Sequence, residues 1–217
     1  MGVLEFYTEY WPDYWDGTLV TLRLVVISFT LACIIGVIIA GFRVSPVPPL
    51  RSFASGYVAL FRNMPLLVVF FLAFFGVGDL GFVFGPFPTA AVALGMYTGA
   101  YMAEVIRSGI NSVSSGQAEA GRAIGLGFIP LLREIVIPQA VRTVIAPIGN
   151  LFIANFKNTA VALTISVFEL TYISRKLINE TARTWLSLLG AAIIYTVILL
   201  FAGWVFRTLE DRYAIKR

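Results

Sequence analysis

Three charged side chains interrupt stretches of sequence that are otherwise apolar: Arg62, Glu104 and Lys157. Lys157 is followed directly by Asn158 and Thr159, which add hydrogen-bond donors and acceptors. A charge near the centre of a lipid bilayer costs at least ~2.5 kcal/mol unless it faces protein or a water-filled cavity. These residues are therefore predicted either to line a polar pathway or to fasten neighbouring helices through ion pairs.

Helical spacing places polar and small side chains on one face of each of two predicted helices. Glu104 can also pair with Arg107, three residues further on. For Arg62 and Lys157 the pathway and the fastener interpretations both stay open, whereas for Glu104 we favour the fastener. The two faces are Asn150, Ala154, Lys157, Val161 and Thr164 in one helix, and Tyr97, Ala100, Tyr101, Glu104 and Ser108 in the other.

The chain contains no histidine and one cysteine, Cys33, inside an apolar stretch. It therefore lacks the usual general base and the cysteines of a disulfide framework or zinc site. Hydrophobic residues make up 59% of the 217 residues and charged residues 13%, which is more apolar surface than a soluble domain of this length can bury. The composition disfavours an enzyme and predicts an integral membrane protein without a metal site or cofactor of its own.

Uncharged runs reach the ~20 residues that a helix needs to cross the hydrocarbon core. Such runs must be helical, because lipid offers no partner for unpaired backbone groups. We predict an all-α, polytopic fold with about five spans in one membrane domain, residues 1–217. Pro65 should kink the second span, because it removes a helical hydrogen bond. The predicted spans are 18–42, 52–77, 89–107, 142–167 and 184–207.

The distribution of arginine and lysine predicts the orientation of these spans. Residues 1–17 are acidic and aromatic without a lysine or arginine, which indicates an outer-face segment at the membrane interface and argues against a signal peptide. We expect the amino end outside, the carboxyl end in the cytoplasm and residues 108–141 on the cytoplasmic side. The cytoplasmic cations would then be Arg43, Arg51, Arg107, Arg122, Arg133, Arg142, Arg207, Arg212, Lys216 and Arg217, against Arg175, Lys176 and Arg183 outside.

The predicted cytoplasmic stretch contains Gly116-Gln-Ala-Glu-Ala-Gly121 and, later, Ile135-Val-Ile-Pro138. It resembles the signature loop of ABC importer permeases, which begins Glu-Ala-Ala, has glycine six residues after the glutamate and ends Ile-x-Leu-Pro. Residues 113–124 are predicted to form a short helix. Its small side chains would let a partner surface approach closely. The residues that the resemblance assigns to coupling with an ATPase are Glu119, Ala120, Gly121, Gly125 and Pro138.

Two residues of this loop have predicted backbone roles. Gly125 permits the positive backbone angles of a sharp turn, and Pro138 fits the first turn of the helix that returns to the membrane. Residues 116–123 also have the spacing of a nucleotide-binding P-loop, but Arg122 and Ala123 replace the required lysine and hydroxyl residue, and no strand pattern precedes them. ATP and Mg²⁺ are therefore expected on a separate ATPase chain.

Further segments resemble the polar amino acid permease family of histidine, glutamine and glutamate permeases. Asn63 and Met64 depart from the small-residue pair that is usual before the proline. Within the family, Arg43–Val47 and Gly125–Phe128 look most like actinobacterial glutamate permease subunits. The segments that carry the family resemblance are Arg62–Leu66, Ala103–Ile110, Pro138–Arg142 and Lys157–Thr159.

This resemblance implies a type I ABC importer permease in the bacterial plasma membrane, which moves polar amino acids by alternating access, with glutamate or glutamine favoured. The implied partners are an ATP-binding cassette ATPase dimer, a second permease copy or a sister permease, an extracytoplasmic solute-binding protein, the amino acid and the lipid bilayer, without nucleic acid. An amino acid carries an ammonium and a carboxylate, so Arg62, Glu104, Lys157, Asn158 and Thr159 are the candidates for its pathway.

Several alternatives stay open at this stage. The substrate could be a basic amino acid or cystine instead. The chain could also be an ion channel or a secondary transporter, although the Glu-Ala-Gly loop would then lack a purpose. A membrane-embedded enzyme would need a clustered acid, base or metal set, which the scattered carboxylates do not supply.

Overall fold

The computed structural model describes residues 2–213, except for the side chains of Phe128 and Tyr213. These residues form helices and short connections, without a strand among them, as the all-α prediction requires. Lys216 and Arg217, which the charge pattern assigned to the cytoplasmic tail, lie outside the described residues. The helices are α1 Val3–Val44, α2 Pro48–Asn63, α3 Leu66–Phe71, α4 Val77–Asp79, α5 Pro86–Asn111, α6 Ser115–Ala123, α7 Phe128–Leu131, α8 Ile137–Asn158, α9 Leu170–Thr181 and α10 Thr184–Tyr213.

The first helix is longer than the span predicted from the sequence. α1 has 42 residues, which is about 63 Å at 1.5 Å per residue. The segment 1–17 was expected to precede the span, but from Val3 onward it continues the same helix. Its aromatic side chains hold it there, because Phe6 and Tyr14 are buried against Leu170 and Ala191 of α9 and α10.

The centre of the bundle is the pair α1 and α5, which approach closely because small residues line their contact. Ala32, Gly36 and Ala40 recur at every fourth position of α1, and all three are buried. A Cβ on Gly36 would lie 2.6 Å from the Met102 Cβ of α5. This spacing is typical of closely packed membrane helices, and here it joins two helices of one chain.

The predicted second span is broken at Pro65. α2 ends at Asn63, and the segment Leu66–Asp79 leaves it at an angle of 108°. Met64, the residue before the proline, is extended, with φ −101° and ψ 133°, because the proline ring disfavours helical angles there. The sequence located the break correctly but predicted only a kink in one span.

The predicted fourth span begins earlier than expected. A helical run extends from Ile129 to Ile165, and a π-helical turn, Leu132–Val136, lies between α7 and α8. Pro138 does fall in the first turn of α8, but α8 continues a helix that is already formed. The wider π-turn accommodates a residue that has no N–H to donate. Residues 129–141, which the sequence assigned to the polar loop, are therefore already helical.

Among the described residues, three helices are long and apolar enough to span a membrane, and the bent pair of α2 with Leu66–Asp79 is a fourth candidate. The predicted third span is present as α5, which has 26 residues but is less apolar. Its buried face consists mainly of alanine, glycine and threonine, because α5 packs closely against α1 and α8. The polytopic all-α fold predicted from the sequence is confirmed.

Candidate functional site

A polar cluster surrounds the carboxylate of Glu104. Arg43 Nη1 of α1 bonds Glu104 Oε1, Arg62 Nη1 of α2 lies 3.5 Å from the same oxygen, and Arg107 Nη2 of α5 lies 3.2 Å from Oε2. The Glu104 side chain is 23% exposed, so the cluster is partly shielded from the surroundings. One anion among three cations leaves an excess of positive charge, and that excess favours an incoming carboxylate.

A cavity of about 380 Å³ opens beside this cluster. The guanidinium carbon of Arg62 lies 5.6 Å from the centre of the Tyr101 ring, within range of a cation–π contact. The cavity therefore combines charged donors, one carboxylate acceptor and an aromatic wall. Its lining residues are Arg43, Ser55, Val58, Ala59, Arg62, Asn63, Tyr101 and Glu104.

A second cavity, of about 500 Å³, lies between the bent segment and α5. Its lining is almost wholly apolar and includes Phe61, Met64, Val92 and Met96. It offers no charged group to a polar solute, so the smaller polar cavity is the better candidate site.

Lys157, Asn158 and Thr159 lie away from the polar cavity, since none of them lines it. Lys157 is exposed, and no carboxylate lies within ion-pair distance of it in the described part of the chain. The backbone does not unwind at these residues as the sequence suggested. α8 tightens into a 3-10 helix over Thr159–Ile165, and the run ends at Ser166, which has φ 63°.

The stripe predicted on α8 lies on the outside of the single chain. Asn150, Ala154, Lys157 and Thr164 are exposed, and Val161 is partly exposed. The stripe predicted on α5 runs inward instead, with Ala100 fully buried and Glu104 in the polar cluster. The pair of Glu104 and Arg107, expected from their spacing, is present.

Two buried polar residues were missed from the sequence. Asn155 is fully buried and bonds Ser28 of α1 and Thr98 of α5. Glu169 is also fully buried, and its carboxylate accepts hydrogen bonds at the start of α9. A carboxylate directly after the apolar run 160–168 was a usable signal for Glu169. For Asn155 there was none, because its partners come from distant parts of the chain.

The predicted cytoplasmic loop contains the short helix α6, as the sequence indicated, and a tight turn after it. Gly125 has φ +88°, and its N–H donates to Arg122 O while the N–H of Leu126 donates to Gly121 O. This pair of bonds is the Schellman arrangement that ends a helix at a left-handed residue. The turn therefore depends on a glycine at position 125.

The loop is fixed to α8 from inside and exposed on its outer side. Gly121 is buried against the tips of Leu131 and Ile135, and Gln139 Nε2 donates to Gln117 Oε1 over 2.7 Å. Among the residues assigned to coupling, Glu119, Ala120, Gly125 and Pro138 are exposed and thus accessible to a partner.

A polytopic helical bundle with a polar cavity and a rigid exposed loop defines the class of membrane transport components. Residues 32–215 match the family of binding-protein-dependent transport system inner membrane components. The chain belongs to that family.

Individual relatives cover nearly the whole chain. The glutamate transport system permease protein GluC of Corynebacterium glutamicum is 37% identical, over 95% of this chain and 94% of the relative. The L-cystine transport system permease protein TcyB of Bacillus subtilis is 37% identical, over 96% of this chain and 91% of the relative. A crystal structure of an amino acid ABC transporter with histidines superposes with a TM-score of 0.93 at 31% identity, covering 98% and 99% of the two chains.

Proposed function

We propose that this chain is the translocation subunit of an ATP-driven ABC importer of polar amino acids, with glutamate or glutamine favoured. The observation that carries the proposal is the full-length similarity in fold and sequence to an amino acid ABC transporter. The ion-pair cluster around Glu104 lines a polar cavity that suits a charged solute. Cystine is the second candidate, because the cystine permease TcyB is as similar to this chain as the glutamate permease is.

The charges of the cavity favour an acidic or amide substrate over a basic one. Arg43 and Arg62 can bind carboxylates, and Glu104 can accept hydrogen bonds from an ammonium. A second cation on the substrate would meet three guanidinium groups that share one carboxylate. Repulsion should therefore disfavour basic amino acids.

The exposed stripe on α8 is the second part of the proposed pathway. Lys157 lies about 22 Å along α8 from Arg142, where the predicted span begins, at 1.5 Å per residue. An ammonium inside the hydrocarbon region needs protein, water or substrate around it. A second permease copy or a sister permease facing this stripe would enclose Lys157, Asn158 and Thr159 between two subunits. Alternating access would then open the enclosed path to one side at a time.

The chain itself is assigned no catalytic role, cofactor or metal. An ATP-binding cassette ATPase dimer would bind ATP and Mg²⁺ and dock on Glu119, Ala120 and Gly125 of the α6 loop. An extracytoplasmic solute-binding protein would deliver the amino acid at the opposite face of the bacterial plasma membrane. The fixed contact of α6 with α8 would carry the movement of the ATPase to the pathway helix.

The ATPase partnership is tested by co-expression with the ATPase and the solute-binding protein encoded beside this chain. We expect the ATPase to co-purify with the chain. The release of phosphate from ATP should be faster with glutamate-loaded than with empty binding protein. A chain that purifies alone, or an ATPase rate indifferent to the loaded binding protein, would contradict the proposed function.

The proposed orientation places the amino end outside and the α6 loop in the cytoplasm. Ser115 is exposed at the start of α6, so in a Cys33→Ala background Ser115→Cys should react with a membrane-impermeant thiol reagent only in inside-out vesicles. Leu4, in the first turn of α1, is 84% exposed. Leu4→Cys is therefore the matched control for the outer face and should react only in right-side-out vesicles. Labelling with the reverse pattern would show that the orientation is wrong.

A further inference from the structure

Glu169 is a buried carboxylate without a cation. Its exposed fraction is 0%, and no lysine or arginine in the described part of the chain lies within ion-pair distance of it. It accepts hydrogen bonds from the N–H groups of Thr171 and Tyr172 over 2.9 and 2.8 Å and from the Tyr195 hydroxyl over 2.9 Å. Burial of a carboxylate is costly, and two N–H donors at the amino end of α9 together with the Tyr195 hydroxyl offset that cost.

Capping α9 does not require this residue type. Serine, threonine, aspartate or asparagine would cap the helix with a shorter side chain and less buried charge. The third hydrogen bond that the Glu169 carboxylate accepts comes from Tyr195, which belongs to α10. The glutamate thus joins the start of α9 to a helix that lies across from it.

Tyr195 extends this link to the proposed pathway. Its hydroxyl lies 3.1 Å from Thr171 Oγ1. Its ring packs edge-on against Phe156, with ring centres 5.8 Å apart. Tyr195 therefore contacts Phe156, the residue directly before Lys157.

The connection between Thr159 and Glu169 is also fixed to α1. Ser166 takes a left-handed conformation, and the N–H of Leu170 donates to Thr21 Oγ1 over 3.1 Å. Thr159, Glu169 and Thr21 are all fully buried. The reversal after the pathway helix is thus held from α1 on one side and from α10 on the other.

We propose that Glu169 and Tyr195 are positioning residues for the substrate pathway, acting through Phe156 and the turn that joins α8 to α9. This inference rests on the proposed pathway role of Lys157, Asn158 and Thr159. The Glu169–Tyr195 bond fixes the 3-10 turn after α8, and that turn sets where the Lys157 and Asn158 side chains point. Loss of the bond loosens the turn without removing any group that contacts the substrate.

The test is Tyr195→Phe, which removes the hydroxyl alone, in the full complex reconstituted into vesicles. We expect the apparent KM for amino acid uptake to rise by about tenfold or more, the effect of losing one hydrogen bond to a charged group. Yield of assembled complex and basal ATP hydrolysis should stay unchanged. Glu169→Gln keeps an acceptor for the helix cap and for Tyr195, so its rise in KM should be smaller.

The matched control is Tyr7→Phe, since the Tyr7 hydroxyl also bonds α10, at Leu186 O over 2.9 Å, nine residues before Tyr195. A KM unchanged in Tyr195→Phe, or raised equally in Tyr7→Phe, would overturn the positioning role. Lys157→Gln, measured in parallel, tests the proposed pathway role of Lys157 separately from the positioning role of Tyr195. If that variant lowers uptake while Tyr195→Phe does not, only the positioning inference is wrong, and if it has no effect, the pathway and the positioning role both fall.

Discussion

Replacing Gly125 by valine is expected to lower substrate-stimulated ATP hydrolysis and amino acid uptake together, while the chain still inserts into the membrane. Gly125 has φ +88°, a conformation that costs a residue with a branched side chain about 1–3 kcal/mol. The turn should rearrange to relieve this strain, which would move the exposed face of α6 relative to α8. We expect substrate-stimulated ATP hydrolysis and uptake to fall together by about tenfold, the rate equivalent of ~1.4 kcal/mol.

Gly127→Val is the matched control for this prediction. Gly127 lies two residues further on and has no left-handed backbone, and the position of its Cβ is open, with Pro130 Cδ 4.0 Å away as the nearest atom. It should leave coupling close to the unsubstituted level. Normal stimulation in Gly125→Val, or an equal loss in Gly127→Val, would remove the coupling role of the turn.

Lys157→Gln is expected to abolish most transport without loss of assembled protein. Lys157 has no ion-pair partner among the described side chains of its own chain, so its removal breaks no fastener within the subunit. If the ammonium contacts the substrate, a charged hydrogen bond is lost, and uptake should fall by about tenfold or more. The measurements are uptake, basal ATP hydrolysis and the yield of monodisperse complex.

Two other substitutions serve as comparison variants for Lys157→Gln. Glu104→Gln removes the one carboxylate among three arginines, so it should lower the yield of assembled complex. Lys176→Gln removes an exposed lysine of α9 that pairs with Asp13. Exposed pairs of this kind contribute ~0–1 kcal/mol, so this variant should change little. A poorly assembled Lys157→Gln complex, or one that transports normally, would end the pathway role of Lys157.

The sequence predicted those features that depend on neighbouring residues. Apolar runs gave the helices, Pro65 gave the position of the break, and the spacing of Glu104 and Arg107 gave their ion pair. The helix α6 and the turn at Gly125 followed from small residues and glycine in the same way. Each of these features is determined within about one or two turns of helix.

Features that depend on distant packing were not predicted. Arg43 was assigned to a cytoplasmic turn, but its long side chain reaches Glu104, 61 residues away. The length of α1 also depends on burial of Phe6 and Tyr14 by helices near the other end of the chain. The π-turn before Pro138 and the burial of Asn155 and Glu169 were also not predicted. Tertiary contacts stabilise these features, although the local sequence does not favour them.

The amino acid uptake of reconstituted vesicles tests the central proposal most directly. Vesicles would contain this chain with its ATPase, with solute-binding protein and radiolabelled glutamate on the binding-protein side and ATP on the ATPase side. We predict accumulation that requires ATP, the ATPase and the binding protein together, and that excess unlabelled glutamate or glutamine suppresses more strongly than arginine. Accumulation driven by an ion gradient without ATP, or ATP hydrolysis by the full complex without uptake of any amino acid tested, would contradict the assignment of this chain as an amino acid importer subunit.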